Sequence, residues 1–229
     1  KLPEKSGVGS DDRNKIPRLA ETEKRNKMLD HLQKAGCSHS LVIDSDEFYD
    51  RQEFYDAKQI ISETEDIHCT YCQYVNYYRD YHHYLVWPFP SFVPFITESS
   101  YRFVFDDGDF HAPSDPTRRY KKPEGDESPI YIFDWDVLHM HHFAWIRKDI
   151  TKKIDNWSAK KYFEGESQLI PSILDRYKNY HDGENAIVTF NVPGFSVMVN
   201  PLPKEYIHPH YFLNSTDLEA VPKDVIEEK

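Results

Sequence analysis

No stretch of this chain approaches the ~18 consecutive apolar residues that a membrane-crossing helix needs, and no short apolar run with a basic lead opens it as a secretory signal would. The sequence therefore reads as soluble and cytoplasmic. Positive charge is in deficit: 28 Lys and Arg stand against 39 Asp and Glu, a net charge of -11. A chain so acidic lacks the basic surface that offsets phosphate repulsion, which argues against nucleic acid as a partner; any anionic ligand would need a metal or local cations. Cysteine is scarce as well. Cys37, Cys69 and Cys72 form an odd set, and Cys69-x-x-Cys72 has no second ligand pair for zinc, so reduced thiols are expected. There is no internal repeat, and 229 residues suffice for one core.

What is present is an abrupt change of character after residue 43. Leu41-Val42-Ile43 is short, branched and apolar, and it runs straight into Asp44-Ser45-Asp46-Glu47. Such a run predicts a buried parallel strand, and open α/β sheets present their functional groups at the carboxyl ends of strands. Three crowded carboxylates repel one another unless a cation neutralises them, and Mn²⁺ and Mg²⁺ prefer oxygen ligands. The plainer alternative is a solvated turn capping the next helix, a role that suits Glu47 best.

Around that tip, residues 1–16 read as a polar arm or loop, 17–215 as a single domain and 216–229 as an acidic tail. A helix is expected from Pro17 to Ala35, with Met28, Leu29, Leu32 and Ala35 on one face and Gly36 as its stop. Asp50 and Glu53 resemble a capping arrangement for a helix carrying Phe54, Ala57, Ile60 and Ile61. From Ile67 to Tyr78 the period is two, which predicts a strand with aromatics on both faces. Pro88, Pro90 and Pro94 reduce Trp87 to Ile96 to a loop or edge piece, and Ser100 to Phe105 can be another strand. Phe143, Ile146, Ile150, Ile154 and Trp157 recur at helical spacing, which places His139, His141 and His142 just before a helix. Leu169 to Tyr180 suggests a further helix, and strands near Ile187 to Val192 and Ser196 to Val199 flank the turn signal Pro193-Gly194. The order helix, strand, helix is an α/β signature. No apolar strand precedes residue 41, so the sheet is expected to be small and unusual, or incomplete at the N terminus.

The strings Glu23-Lys24-Arg25-Asn26 and Leu41-Val42-Ile43-Asp44-Ser45-Asp46-Glu47-Phe48-Tyr49 resemble the central part of GT-A glycosyltransferases of the family 2-like kind, where a helix with an Arg-Asn pair precedes a strand ending in Asp-x-Asp. Asp115-Pro116-Thr117-Arg118 and the segment from His141 to Asp149 are similar to further parts of that superfamily, so the likeness spans roughly residues 17 to 163. It implies an α/β, GT-A-like (Rossmann-related) mixed sheet flanked by helices. It also implies transfer of a sugar, with inversion, from a UDP-, GDP- or dTDP-linked donor to a glycan or other hydroxyl acceptor. A divalent cation would stabilise the charge that builds on the departing diphosphate. Asp46 is then expected to bind Mn²⁺ or Mg²⁺ directly. Asp44 would bind the donor ribose or a metal-bound water, and His142, or failing it His141, would complete the metal or diphosphate site. Arg25 and Arg147 are the expected donor-binding cations, Arg147 having Asp149 or Asp44 as alternative structural partners.

An inverting transfer needs a general base. Asp134 and Asp136, beside the histidines, are the leading candidates, then Glu98, with Asp115 also in range. The tyrosines at 71, 74, 77, 78, 81 and 84, with Trp87 and Phe89, could form a stacking platform for an acceptor sugar, among which Trp87 and Tyr78 are singled out; otherwise they cover a half-buried sheet. Two other classes compete. Haloacid-dehalogenase-like phosphotransferases want a small Thr or Val where this chain has Phe48, and a non-catalytic carbohydrate-binding or assembly module derived from a transferase would keep the architecture without the reaction.

Overall fold

The structure, a computed structural model, describes residues 12–86, 91–105, 108–110, 117–147, 149–155, 169–179, 187–189 and 196–201. In chain order the elements are α1 (Asp12–Lys34), β1 (His39–Leu41), β2 (Glu47–Tyr49), α2 (Arg51–Glu63), β3 (Cys69–Tyr78), β4 (Asp80–Val86), β5 (Phe92–Glu98) and β6 (Arg102–Val104). There follow β7 (Arg119–Lys121), β8 (Ile130–Ile132), β9 (His139–Trp145), α3 (Ile150–Asp155), α4 (Leu169–Asn179), β10 (Ile187–Thr189) and β11 (Ser196–Pro201). The class is mixed α/β, with a curled nine-stranded mixed sheet and a separate two-stranded ribbon of β6 and β7.

Strand β3 organises the sheet. Its Gln73 lies opposite both Phe92 of β5 and His139 of β9, and its Asn76 opposite both Leu85 of β4 and His142 of β9. Antiparallel β5 and β4 thus follow one edge, parallel β8 and β9 the other. With both edges and both faces covered, ring after ring is buried, which explains why the period-two segment shows no polar face. The two faces feed two cores. Cys69 and Tyr71 pack with Leu29, Tyr101, Phe103, Phe110 and Tyr120, while Cys72 packs with Ala57, Phe95, Phe133 and Met140 beneath α2. All three cysteines are free; burial pushes the Cys69 thiol up to about 12, so it stays protonated.

Several expectations are corrected by this topology. The run after residue 40 is no buried parallel strand: β1 is a three-residue antiparallel edge strand on β5, and the chain leaves the sheet at Val42, leaving Ile43 47 % exposed. The edge piece expected up to Ile96 is found in the first half of β5, where Phe92, Val93 and Pro94 pair with β3 and β1 reaches no further than Ile96. Pro94 is tolerated inside it because it lies opposite Tyr71, where the register shifts, and beyond Ile96, where β1 stops, so its missing N–H is not required on a second side. The three histidines do not precede a helix; they lie on β9, clamped between β2 and β3, and α3 begins only at Ile150. Of the apparent helical series, Ile150 and Ile154 are buried on α3, Phe143 belongs to the strand, Ile146 closes a turn onto Phe143, and Trp157 lies outside the described residues. Expectations for β10, β11 and α4 hold for their described parts.

Helix α1 starts at Asp12, so Pro17 lies inside it and forfeits one intrahelical bond. Its buried stripe is also different from the apolar one expected: Met28 is 53 % exposed, and Thr22, Arg25 and Leu29, at i, i+3 and i+7, face inward. Asn26 hooks the ribbon, donating from Nδ2 to the Phe103 carbonyl (2.9 Å) and accepting at Oδ1 from the Phe103 N–H (2.8 Å). Gly36 ends the helix at φ +81°, with Gly36 N–H on Gln33 O and Cys37 N–H on Leu32 O, both 2.9 Å.

At the start of α2, Asp50 caps the N–H groups of Gln52 (2.7 Å) and Glu53 (3.2 Å), but Glu53 does not reach back to complete a reciprocal box. Its carboxylate accepts instead from His139 N–H (3.3 Å), and burial raises its pKa from 4.5 to about 7, with Asp50 adding to the rise. A folded-state pKa above the unfolded one favours folding while the group is protonated, and that contribution is lost as pH rises from 4.5 through about 7. Glu53→Gln is therefore expected to match the wild type in urea denaturation near pH 4.5 and to exceed it at pH 8. An equal difference at both pH values would contradict this.

Candidate functional site

The Asp44–Glu47 turn joins β1 to β2 and is fixed from three directions. Its backbone closes on itself through Glu47 N–H to Asp44 O (3.1 Å) and is stitched to β9 by Phe143 N–H to Asp46 O (2.8 Å). Glu47 opens β2 directly opposite His142, so the turn stands over β9. The Glu47 side chain folds back to accept the Asp44 N–H at Oε2 (2.9 Å).

Beneath the turn lies Arg118, only 2 % exposed, delivered by the residues leading into β7. Its two terminal nitrogens grip Glu47, Nη1 on Oε2 at 2.9 Å and Nη2 on Oε1 at 2.8 Å, and Nη2 also bonds Asp44 Oδ2. Arg25 of α1 approaches the other Asp44 oxygen at 3.7 Å, braced by Glu21 and by the face of the Phe103 ring. Glu47 is thus not the solvated helix cap expected: Asp50 caps α2, and burial, only partly countered by Arg118, raises the Glu47 pKa.

Asp46 points to a second, wetter group. Arg147 Nη2 bonds its Oδ2 at 2.6 Å, Lys153 Nζ of α3 lies 3.8 Å from the same oxygen, and His142 Nε2 lies 3.9 Å from Oδ1. Burial would push the Asp46 pKa up, but His142, Lys153 and Arg147 together outweigh it and hold the carboxyl below its usual value. Burial pushes His142 down to about 4, so at neutral pH it is an uncharged imidazole with a lone pair to offer. Three carboxylates here meet four permanent cations, Arg25, Arg118, Arg147 and Lys153. Local cations therefore already relieve the repulsion expected at the tip; Arg25 is shared with Glu21, while Arg147 and Lys153 both converge on the one carboxylate of Asp46.

Whether a divalent ion fits is answered by the donors. His142 Nε2 and Asp46 Oδ1 face one another at 3.9 Å, too far apart for a hydrogen bond and open to a shared atom. Asp44 is turned away to Arg118, and among the described residues no three His, Cys, Asp or Glu side chains converge. Asp46 and His142 would suit Mn²⁺, for which an imidazole is a usable ligand, better than Mg²⁺, which favours oxygen, with the remaining ligands taken from water and from a ligand's phosphate oxygens.

The structure thus brings together Asp44, Asp46, Arg25, Arg147 and His142. It does not bring the proposed bases to them. Glu98 faces His39 at the start of β1, the end remote from the turn, and engages His68 (3.2 Å) and Ser100 (3.2 Å). Asp134 and Asp136 lie exposed in the turn before β9, on the far side of His139 from His142. Tyr78 is 2 % exposed, its ring packed near Tyr177 and Trp145, so it forms no open platform; Trp87 and Asp115 lie outside the described residues. His141 faces away from the cluster, bonding Tyr77 Oη through Nδ1 (2.8 Å). Arg118 and Lys153 were assigned no role by the sequence. Nothing in Thr117-Arg118-Arg119-Tyr120 marks which arginine is buried, although a lysine near the end of a short amphipathic helix after Arg147 was a findable cue.

Fold and site together define a mixed α/β domain with an arginine-clamped acidic turn beside a neutral, partly buried imidazole. Compared with known protein families, with curated proteins and with solved structures, the chain matches none.

Proposed function

We propose that this chain is a GT-A-like, metal-dependent glycosyltransferase domain acting in the cytoplasm on a nucleotide-sugar donor. The observation that carries the reading is Asp46 on the turn facing His142 on β9, with Arg147 and Lys153 on the same carboxylate. An acidic turn alone would be a common surface feature; one whose Asp46 is set beside an uncharged imidazole and met by two cations suits a diphosphate.

In this reading Asp46 and His142 hold Mn²⁺ or Mg²⁺, whose chemistry is to stabilise negative charge on the leaving diphosphate. Arg147 and Lys153 exchange part of their pairing with Asp46 for the diphosphate oxygens, and Asp44, held by Arg118 and Arg25, is presented to the donor ribose. The bond from the sugar's anomeric carbon to the diphosphate breaks with its electron pair leaving on the diphosphate. The acceptor hydroxyl oxygen forms the new bond and gives its proton to a general base, which is none of Asp134, Asp136 and Glu98 as they are placed here.

Calorimetric titration with UDP and GDP, each with and without Mn²⁺, tests this. Expected is nucleotide binding that requires the metal and is lost in His142→Ala. No nucleotide affinity, together with retained binding of a glycan, would favour the non-catalytic module instead.

A further inference from the structure

His142 Nδ1 and Asn76 Oδ1 are among the buried polar atoms without a hydrogen-bond partner among the described residues. They belong to register partners. Asn76 of β3 lies directly opposite His142 of β9, and paired residues on neighbouring strands, about 4.8 Å apart, project from the same face of a sheet. A neutral imidazole carries one N–H, and which nitrogen bears it decides which one offers a lone pair. Nε2 is the nitrogen that faces Asp46.

The other neighbours of His142 make no hydrogen bond to Nδ1 and have partners of their own. Glu47, its partner on β2, has both carboxylate oxygens engaged by Arg118 and the Asp44 N–H. Tyr74 meets the imidazole edge to face, centroids 5.9 Å apart, with its ring rather than its hydroxyl. On its far side Asn76 meets Leu85, which offers its amide nothing. The acceptor that is 95 % buried with its residue therefore sits beside the donor that needs it, a side-chain rotation away.

We infer that Asn76 is a positioning residue: its Oδ1 accepts the His142 Nδ1–H and so fixes the tautomer in which Nε2 carries its lone pair toward Asp46. Metal-binding histidines are commonly oriented by such a partner on the second nitrogen. The inference rests on the transferase reading for its purpose, but the tautomer itself does not depend on metal.

The test begins on metal-free wild-type protein, by long-range ¹H–¹⁵N spectra of the imidazole nitrogens, with His142 assigned from the signal lost in His142→Gln. Expected is an N–H on Nδ1, displaced toward Nε2 in Asn76→Leu and restored in Asn76→Asp, which keeps an acceptor. Binding of Mn²⁺ with inorganic pyrophosphate should weaken by about 10–100-fold in Asn76→Leu and recover in Asn76→Asp. An N–H on Nε2 in the wild type, or a tautomer indifferent to Asn76→Leu, overturns the inference, and the wild-type spectrum decides even if the leucine variant fails to fold. If the tautomer follows Asn76 while wild-type protein binds no Mn²⁺ with pyrophosphate, the inference stands and the metal-dependent reading fails.

Discussion

Arg118→Ala is expected to lower the melting temperature by roughly 10 °C. Removing one member of a buried ion pair costs about 3–5 kcal/mol because the other charge is left uncompensated, and a domain of this size shifts by about 2–4 °C per kcal/mol. The abandoned charge is Glu47, 5 % exposed, with its lone pairs aimed at an empty guanidinium site. Asp44 loses the same partner but is half exposed, so water replaces most of what it gave up. Without Arg118 to counter burial, Glu47 titrates higher still in the variant, and protonating it removes the offending charge, so the deficit should narrow as pH falls toward the raised Glu47 pKa of the wild type. Arg118→Met combined with Glu47→Leu should recover most of the loss. Differential scanning calorimetry of the three proteins decides it; a single arginine variant that melts with the wild type would mean the clamp is not formed.

Asp46→Ala is expected to have the opposite profile, with little change in stability and a large loss of chemistry. Its partners Arg147 and Lys153 are themselves partly solvated, and exposed pairs contribute only about 0–1 kcal/mol. For donor turnover the expected loss is on the order of 10²–10³-fold or more, the usual effect of removing a group that stabilises charge developing in a transition state. The measurement is Mn²⁺-dependent hydrolysis of UDP- and GDP-sugars without acceptor, with melting as the control. Undiminished hydrolysis by a folded Asp46→Ala protein would refute the role given to the turn.

The contrast between these variants shows what the sequence could reveal. That Asp46 and His142 would lie near one another was an expectation carried by the family resemblance, since neither residue type is rare in this chain, and the two side chains are 3.9 Å apart. The alternating aromatics of β3 and the two strands β10 and β11 were readable because both are local patterns; Pro193-Gly194 between the latter lies outside the described residues. What failed was local evidence overridden by neighbours. Leu41-Val42-Ile43 has the composition of a buried strand, but with only β5 to pair with, it leaves the sheet after one of the three residues. Phe143 and Ile146 fall at helical spacing with Ile150 and Ile154 by coincidence, since pairing with both β2 and β3 holds Phe143's strand extended. Arg118 was invisible for a different reason. Its burial is set by Asp44 and Glu47, more than 70 positions earlier in the chain, a separation no periodicity can report.

The grip of Asn26 on Phe103 has a consequence beyond docking α1. Strand β6 pairs with β7 along one border only, and an unfilled border is a template onto which a foreign chain can add itself. By supplying one acceptor and one donor in the spacing of a backbone, the amide of Asn26 impersonates the missing strand and closes that template. A single polar side chain thereby satisfies both backbone groups of Phe103 that a further strand would use.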